Sequence, residues 1–509
     1  MSALLSATTI LVTFCALGFL ISRQRARQRL PPGPRGLPLF GNLFDVPTSH
    51  PWLVYAEMSK RYGNVLSLQV VGHTYIILNS ARDVREILVK RGRHCAARPR
   101  LVIAGWVNDV HVVGAEGHRV MKRFATKNLS SSALFRFLET SDKTVTQTLA
   151  RMLVREERDK YRMVGSVILR VTYGYDVESD DDPFLRIAEE TFKSAMHLLG
   201  PGWILDLIPW ARHLPGWMLG PAFMRTIARS RELVHILRTA PVEWTKQQMA
   251  AGNTDPSLAA DIMASPEDTD NDPYNDVLLA LLADLYAGGI DTTTPVCLTL
   301  VLILALYPDI QAKAQAEIDN ALHRKQLPTY PDRARLRYVA AVIKEVYRFN
   351  SLLNLGFPHR TTQAMDYKGY VIPENAIVCA NVWSILHDPV KYPEPFTFNP
   401  ERFLNDNTGT ETLDVDPDDE VINEDPTRYV FGFEPRKCLG RHIADSVIFL
   451  FTAKLLATCN ISGAVNSDGE SISPSNITFT GGIVSRPLPF RCAIQQRPHA
   501  GELLEGSDD

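Results

Sequence analysis

The sequence predicts a mainly α chain carrying small β-sheets, an α+β fold, and three observations predict it. Strand signals are few and short; only Val65 to Leu78 alternates well enough for a hairpin, with Gly72 at the turn. The middle of the chain is long and mainly helical in pattern. Its most apolar run, Asn275 to Leu306, reads as one long helix. No repeat is visible. With 509 residues, 45% hydrophobic and 22% charged, the chain can bury a large core of ordinary globular composition. A formal net charge of -3 gives no reason to expect nucleic acid as a partner. Seven scattered cysteines, an odd number without a C-x-x-C pair, argue against a disulfide framework and against a zinc site.

Taken in order, residues 3–21 are uncharged, apolar or small, and long enough to span a bilayer as a transmembrane anchor. Arg23, Arg25, Arg27 and Arg29 follow, and no basic residue precedes the apolar run. The positive-inside rule then places the N-terminus in the lumen and the body in the cytosol. A cleaved signal peptide is the competing reading, but it normally carries positive charge ahead of its apolar stretch. Residues 22–38 form a basic, proline-rich hinge, stiffened by Pro31-Pro32-Gly33-Pro34. Residues 39–497 are the body. The acidic stretches Asp176 to Asp182, Pro266 to Asp276 and Asp414 to Asp425 read as solvated loops, and residues 498–509 as a disordered acidic tail. Sequons at Asn128, Asn460 and Asn476 would go unused in a cytosolic body.

Four motifs carry chemistry. The helix 275–306 is interrupted by Ala287-Gly288-Gly289-Ile290-Asp291-Thr292-Thr293. A glycine pair followed by hydroxyls can bend a helix and free a carbonyl. Such a notch beside Asp291 and Thr292 admits a small ligand and a proton path; the alternative is a packing notch between crossing helices. Glu345 and Arg348 lie one turn apart on one helix face, suited to an ion pair that Arg402 of Pro400-Glu401-Arg402-Phe403 could complete as a buried structural network. A second E-x-x-R, Glu116 to Arg119, shows how easily that pattern arises. The fourth motif is Phe431-Gly432-Phe433-Glu434-Pro435-Arg436-Lys437-Cys438-Leu439-Gly440, a turn-rich loop feeding the helix-like run Arg441 to Leu456. A cysteine beside an arginine and a helix N-terminus suits a soft sulfur ligand for haem iron.

In that order and spacing, the four motifs resemble those of a cytochrome P450, a haem-thiolate monooxygenase, with similarity from the anchor and hinge to Phe490-Arg491-Cys492. The texture of Gly481 to Phe490 resembles fungal membrane-bound members of secondary or xenobiotic metabolism. The resemblance implies a cytochrome P450 fold, with haem b between the long central helix and the cysteine loop. It makes Cys438 the axial ligand of the haem iron. Thr292 would serve oxygen activation and Asp291 would relay protons. Arg436, Arg119 and His359 would meet the haem propionates, with His118 and Phe431 also at the cofactor; Arg360 could replace His359. It further implies a body on the endoplasmic reticulum membrane, receiving electrons indirectly from NADPH through the separate NADPH-cytochrome P450 reductase. Arg119, Lys122, Arg123 and Lys127 would offer that partner a basic face. Substrate would lie against Asp284 to Gly288, Ser351 to Phe357 and Phe479 to Ile483. That lining suits a lipophilic compound such as a terpenoid, polyketide or aromatic, oxidised with O₂.

Two departures stand out. Glu434 occupies a place where the family usually has glycine, which predicts backbone strain, and a carboxylate there opposes the thiolate charge unless it finds solvent or a base such as Lys437; looser haem retention or a shifted reduction potential is expected. His118 replaces the usual tryptophan. These departures motivate a second reading, a non-catalytic or weakly active haem-binding member. A third is a haem-thiolate isomerase or dehydratase that needs no O₂.

Overall fold

The structure is a computed structural model that describes residues 30–38, 40–99, 107, 115–130, 132–154, 160–177, 179, 181–199, 220–264, 273–404 and 421–505. The anchor at 3–21 and most of the basic segment after it lie outside the described residues.

Helices dominate. In chain order the longer ones are α1 (Pro51–Tyr62), α2 (Ala115–Asn128), α3 (Phe135–Val154), α4 (Lys160–Tyr173), α5 (Pro183–Leu199), α6 (Pro221–Ala250), α7 (Pro273–Leu306), α8 (Pro308–Leu322), α9 (Arg337–Phe349) and α10 (Arg441–Thr458). The strands are β1 (Val65–Val70), β2 (His73–Leu78), β3 (His359–Arg360), β4 (Met365–Tyr367), β5 (Tyr370–Ile372), β6 (Ile377–Ala380), β7 (Cys459–Asn466) and β8 (Phe490–Gln496). They form a sheet of order β1-β2-β6-β3 and two two-stranded ribbons, β4-β5 and β7-β8. The hairpin runs as the alternation requires, Val65 opposite Leu78, with Gly72 at φ +88 in its turn.

The α7 helix spans about 50 Å at ~1.5 Å per residue and forms the axis of the main core. Leu278, Leu281, Leu282, Tyr286 and Ile290 pack there with Val164, Val167 and Ile168 of α4 and with Val447, Phe449 and Leu450 of α10. Its apolar stretch Val277–Leu306 is long enough to cross a membrane, but 72% of it is buried inside the fold, as for a core helix. The α9 helix buries Val339, Val342, Ile343 and Val346, the i, i+3, i+4, i+7 face of an amphipathic helix.

Three expectations need correction. The glycine pair does not interrupt α7, which is helical through residues 287–293. The end of the proline-rich segment lies along β1: Ser67 donates to Pro32 O through its N–H (2.9 Å) and to Pro31 O through its hydroxyl (2.6 Å). A Cβ at Gly33 would come within 1.9 Å of Ser67 O, so only glycine allows the chain to lie this close to β1. The acidic stretches are not uniformly solvated. Asp182 is buried and caps α5, accepting from the N–H groups of Phe184 and Leu185. Glu424, 2% exposed, accepts from Arg428, Lys391 and Tyr429 and pairs with Arg85. Burial pushes the Glu424 carboxyl up, but Lys391, Tyr429 and Arg428 outweigh it and hold it below its ordinary range. Finally, Ala500–Glu505, read as part of a disordered tail, is a short helix with Ala500 buried.

Candidate active site

The cysteine loop is built by short backbone bonds. Gly432 turns the chain at φ +77, Arg436 N–H donates to Phe433 O (2.8 Å), and Cys438 N–H donates to Phe431 O (2.8 Å). Gly440 caps the start of α10, and its N–H donates to the Cys438 sulfur. Cys438 is exposed, facing a cavity of ≈ 980 Å³ that includes the space at its mouth. By surface area the thiol is open, yet protein surrounds it closely enough that burial pushes its pKa up. The Gly440 N–H and the Arg441 charge pull the other way. Both observations hold because the sulfur faces an interior space and not bulk water.

The opposite wall is α7. Thr292, Thr293 and Val296 line the cavity with Cys438, Phe431 and Ala444. The two glycines divide the tasks that sequence left as alternatives. A Cβ at Gly289 would sit 2.5 Å from Ile168, so this residue is the packing notch against α4, whereas nothing lies within 4 Å of a Cβ at Gly288. The Thr292 hydroxyl donates to Gly288 O (2.7 Å). Pro295, which the sequence reading passed over, lies inside the helix and has no N–H to give the carbonyl four residues earlier, that of Asp291. The Asp291 side chain is 5% exposed, and its Oδ2 has no hydrogen-bond partner. Burial pushes its carboxyl up to about 7, with Arg486 opposing, Glu189 adding and Lys193 opposing.

The cations sort differently from the sequence expectation. Arg436 lines the cavity and its Nε donates to Ala96 O (2.7 Å). His359 also lines it, but its Nδ1–H donates to Cys95 O (2.8 Å). Burial, then the charge of Arg98, then that of Arg436, push the ring down to about 4 against the Cys95 bond. A neutral ring with its proton on Nδ1 leaves Nε2 as an acceptor. Arg119 is exposed and does not line the cavity, and Arg360 is engaged by Asn375 and Arg98 O. The residue that sequence reasoning missed is Arg98. Its Nη1 donates to Phe357 O (2.9 Å) and Pro358 O (2.8 Å) at the cavity wall. Burial, with Arg436 beside it, pulls Arg98 down to about 10. Its position in Arg98-Pro99-Arg100 was a faint signal at most, because the cavity becomes visible only when residues about 260 positions apart meet.

His118 and Lys122 of α2 face the outer side of the loop. His118 Nε2 meets Pro435 O at 3.0 Å, and Lys122 Nζ pairs with Glu434 Oε2 at 2.6 Å. Glu434 is therefore partnered by Lys122, and it is not among the described residues with positive φ, so the expected strain is absent. Burial lowers the pKa of His118, and the bond to Pro435 opposes that shift. Glu345, Arg348 and Arg402 meet away from the cavity. Arg348 grips Glu345 through Nε–Oε2 (2.7 Å) and Nη2–Oε1 (2.8 Å), and Arg402 Nε lies 3.3 Å from Oε2. Arg348 also caps the carbonyls of Leu386 and Pro395.

One sulfur facing a mostly apolar cavity, with two guanidiniums beside it and no acidic partner for either among the described residues, fits an iron porphyrin with two carboxylates. Comparison with known proteins decides the family. The cytochrome P450 family model matches residues 31–492. The chain belongs to the cytochrome P450 family. It is 34% identical over 508 residues to cytochrome P450 monooxygenase 208 of Postia placenta, spanning 97% of this chain and 96% of that one. It is 35% identical to cytochrome P450 monooxygenase claR of Ampulloclitocybe clavipes, over 97% and 91% of the two chains. With cytochrome P450 monooxygenase ple1 of Rhodocybe pseudopiperita it shares 31% identity over 97% and 95%. This P450 is thus a haem-dependent oxidoreductase of the monooxygenase type.

Of the segments expected to contact substrate, Leu352, Leu353, Gly356 and Phe357 line the cysteine cavity. The Phe479 to Ile483 segment abuts His50 instead, whose Nε2 meets Phe479 O at 3.1 Å.

Proposed function

We propose that this P450 inserts one atom of O₂ into a lipophilic small molecule, using haem b held by Cys438 and electrons passed from NADPH by a separate reductase at the endoplasmic reticulum membrane. The single observation that carries the reading is that Cys438 and Thr292 line one cavity together with Arg98 and Arg436. When bound, haem supplies the oxygen chemistry, and a thiolate ligand favours O–O cleavage.

The chain's own residues do the rest. The Gly440 N–H and Arg441 stabilise the thiolate form of Cys438 against burial. Arg98 and Arg436 bind and orient the propionates by charge-assisted hydrogen bonds. The Thr292 hydroxyl, parked on Gly288 O, is a donor that can turn into the cavity. Asp291, with its unpartnered oxygen, holds the proton that resupplies Thr292. Phe431, Val296 and Leu352 keep the cavity apolar. On the outer side of the cysteine loop, α2 exposes Arg119, Arg123 and Lys127, a basic face suited to an acidic redox partner.

The test is the carbon monoxide difference spectrum of the reduced protein. A thiolate-type Soret band that is lost in Cys438→Ser is expected; its absence in the wild type would refute the reading. Thr292→Ala should keep that band and uncouple O₂ consumption from product formation. Turnover with the reductase should fall as salt rises.

A further inference from the structure

Glu434 is the one acid between Phe431 and Gly440, and the fold gives its side chain no task inside the cysteine loop. The backbone there is held by other means. Gly92 passes so close to Glu434 O that no side chain would fit on it, and His118 Nε2 meets Pro435 O at 3.0 Å. The Glu434 carboxylate reaches outward instead, to Lys122 of α2, in an ion pair whose two side chains are 44% and 42% exposed. A pair that open adds little to stability. It closes one side of a second cleft, ≈ 520 Å³ with the space at its mouth, between α2 and the start of α10. Lys122, Lys437 and Arg441 line this cleft, and Glu434 is the one acid among its lining residues. Lys437 and Leu439, both in the lining, flank Cys438 in sequence, so the cleft lies behind the loop that presents the sulfur. Beside it α2 exposes Arg119, Arg123 and Lys127.

A cationic surface one residue from the iron's sulfur ligand suits a protein that delivers electrons and presents carboxylates of its own. Glu434 is out of place on such a surface, because it neutralises Lys122 and opposes every incoming acid. Its geometry is that of a carboxylate already docked. We propose that Glu434 stands in for an acidic side chain of the electron-donating partner: in the free protein it holds Lys122, and on docking a partner carboxylate takes Lys122 over. Only a half-exposed side chain has to move in that exchange, since the loop backbone is fixed by Gly92 and His118. Glu434 thereby weakens the complex and makes this P450 release its donor more readily. This inference rests on the reading that electrons come from a separate reductase.

The experiment titrates the haem-loaded, full-length protein against fluorescently labelled NADPH-cytochrome P450 reductase and reads Kd at low and high salt. Glu434→Gln should bind about three- to five-fold more tightly than the wild type at low salt, with the gain shrinking as salt rises. Adding Lys122→Met to Glu434→Gln should cancel the gain. Glu57→Gln, which removes the same charge from the exposed Glu57–Lys60 pair on α1, should leave Kd unchanged. An equal Kd for Glu434→Gln and the wild type overturns the inference. So does an equal gain in Glu57→Gln, which would make net charge the cause, or a gain that survives Lys122→Met, which would leave repulsion alone. The carbon monoxide band and the rate of haem loss should not change in Glu434→Gln; faster haem loss would give the carboxylate a structural role instead and overturn the proposal. Binding without the gain refutes the role of Glu434 alone, whereas no binding by any variant with the carbon monoxide band intact refutes the reductase reading as well.

Discussion

Replacing Asp291 with asparagine should make the folded protein more stable near neutral pH, and by an amount that depends on pH. Burial holds the Asp291 carboxyl at about 7, against an ordinary value of 3.8. Three groups face it from other elements: Arg486 and Lys193, which favour its charge, and Glu189, which opposes it. The sign follows from proton counting. Between the two values the folded state holds a proton that the unfolded chain has released, so stability falls as pH rises through that interval and levels off above about 7. A shift of about three units corresponds to about 4 kcal/mol at most, and relaxation around the buried group will lower the measured figure.

Asp291→Asn removes the titration and keeps the shape. Urea unfolding of the haem-loaded protein at pH 4.5, 6 and 8 (roughly spanning the interval) should show the variant gaining on the wild type as pH rises, with the difference smallest at the acidic end. Proton delivery should suffer in the same variant: product formation falls while the carbon monoxide band persists. Parallel stability–pH curves for the two proteins would refute the placement of an unpartnered carboxyl at this position.

Three further outcomes are expected. Glu345→Ala leaves Arg348 and Arg402 buried without their counter-charge, costing about 3–5 kcal/mol, read as loss of soluble haem-loaded protein or a large drop in urea midpoint. Arg98→Leu should speed haem transfer to apomyoglobin by about ten-fold or more, the worth of a charge-assisted bond, whereas Arg119→Leu leaves it unchanged; equal effects would reverse the assignment. Glu434→Gly should change stability by under about 1 kcal/mol, since both partners of its ion pair are some 40% exposed. A double-mutant cycle with Lys122→Ala giving a coupling above about 2 kcal/mol would contradict that estimate.

Much of this site was legible because its chemistry is local. Cys438, Gly440 and Arg441 sit within four residues and Gly288, Asp291 and Thr292 within five, so spacing alone places them on a loop and on one helix. Glu345 and Arg348 are likewise one turn apart, and their grip on each other needed no tertiary knowledge. Long-range pairs were not legible. Nothing near Glu434 in sequence announces Lys122, 312 positions away, and the strain expected of Glu434 vanished once the backbone was seen to turn at Gly432 instead. Composition misled at Glu424, which looks like one more solvated acid but draws Arg85 from 339 positions away.

The buried charges separate into two sets, and the separation tells scaffold from site. Arg348 and Arg402 close on Glu345, Arg85 and Arg428 on Glu424, and Lys454 on Asp142, each cation meeting a carboxylate. Such pairs cost desolvation and recover it by contact, so they persist only as complete units. Among the described residues, Arg98 and Arg436 at the cysteine cavity meet only carbonyls, and Asp291 has an oxygen with no partner. A fold that completes those ion pairs elsewhere does not leave three charges incomplete without a reason in binding. The two cations line the cavity that Cys438 faces, and the acid sits on α7 next to Thr292. The incomplete charges therefore match the two tasks proposed above, holding an anionic cofactor and supplying protons.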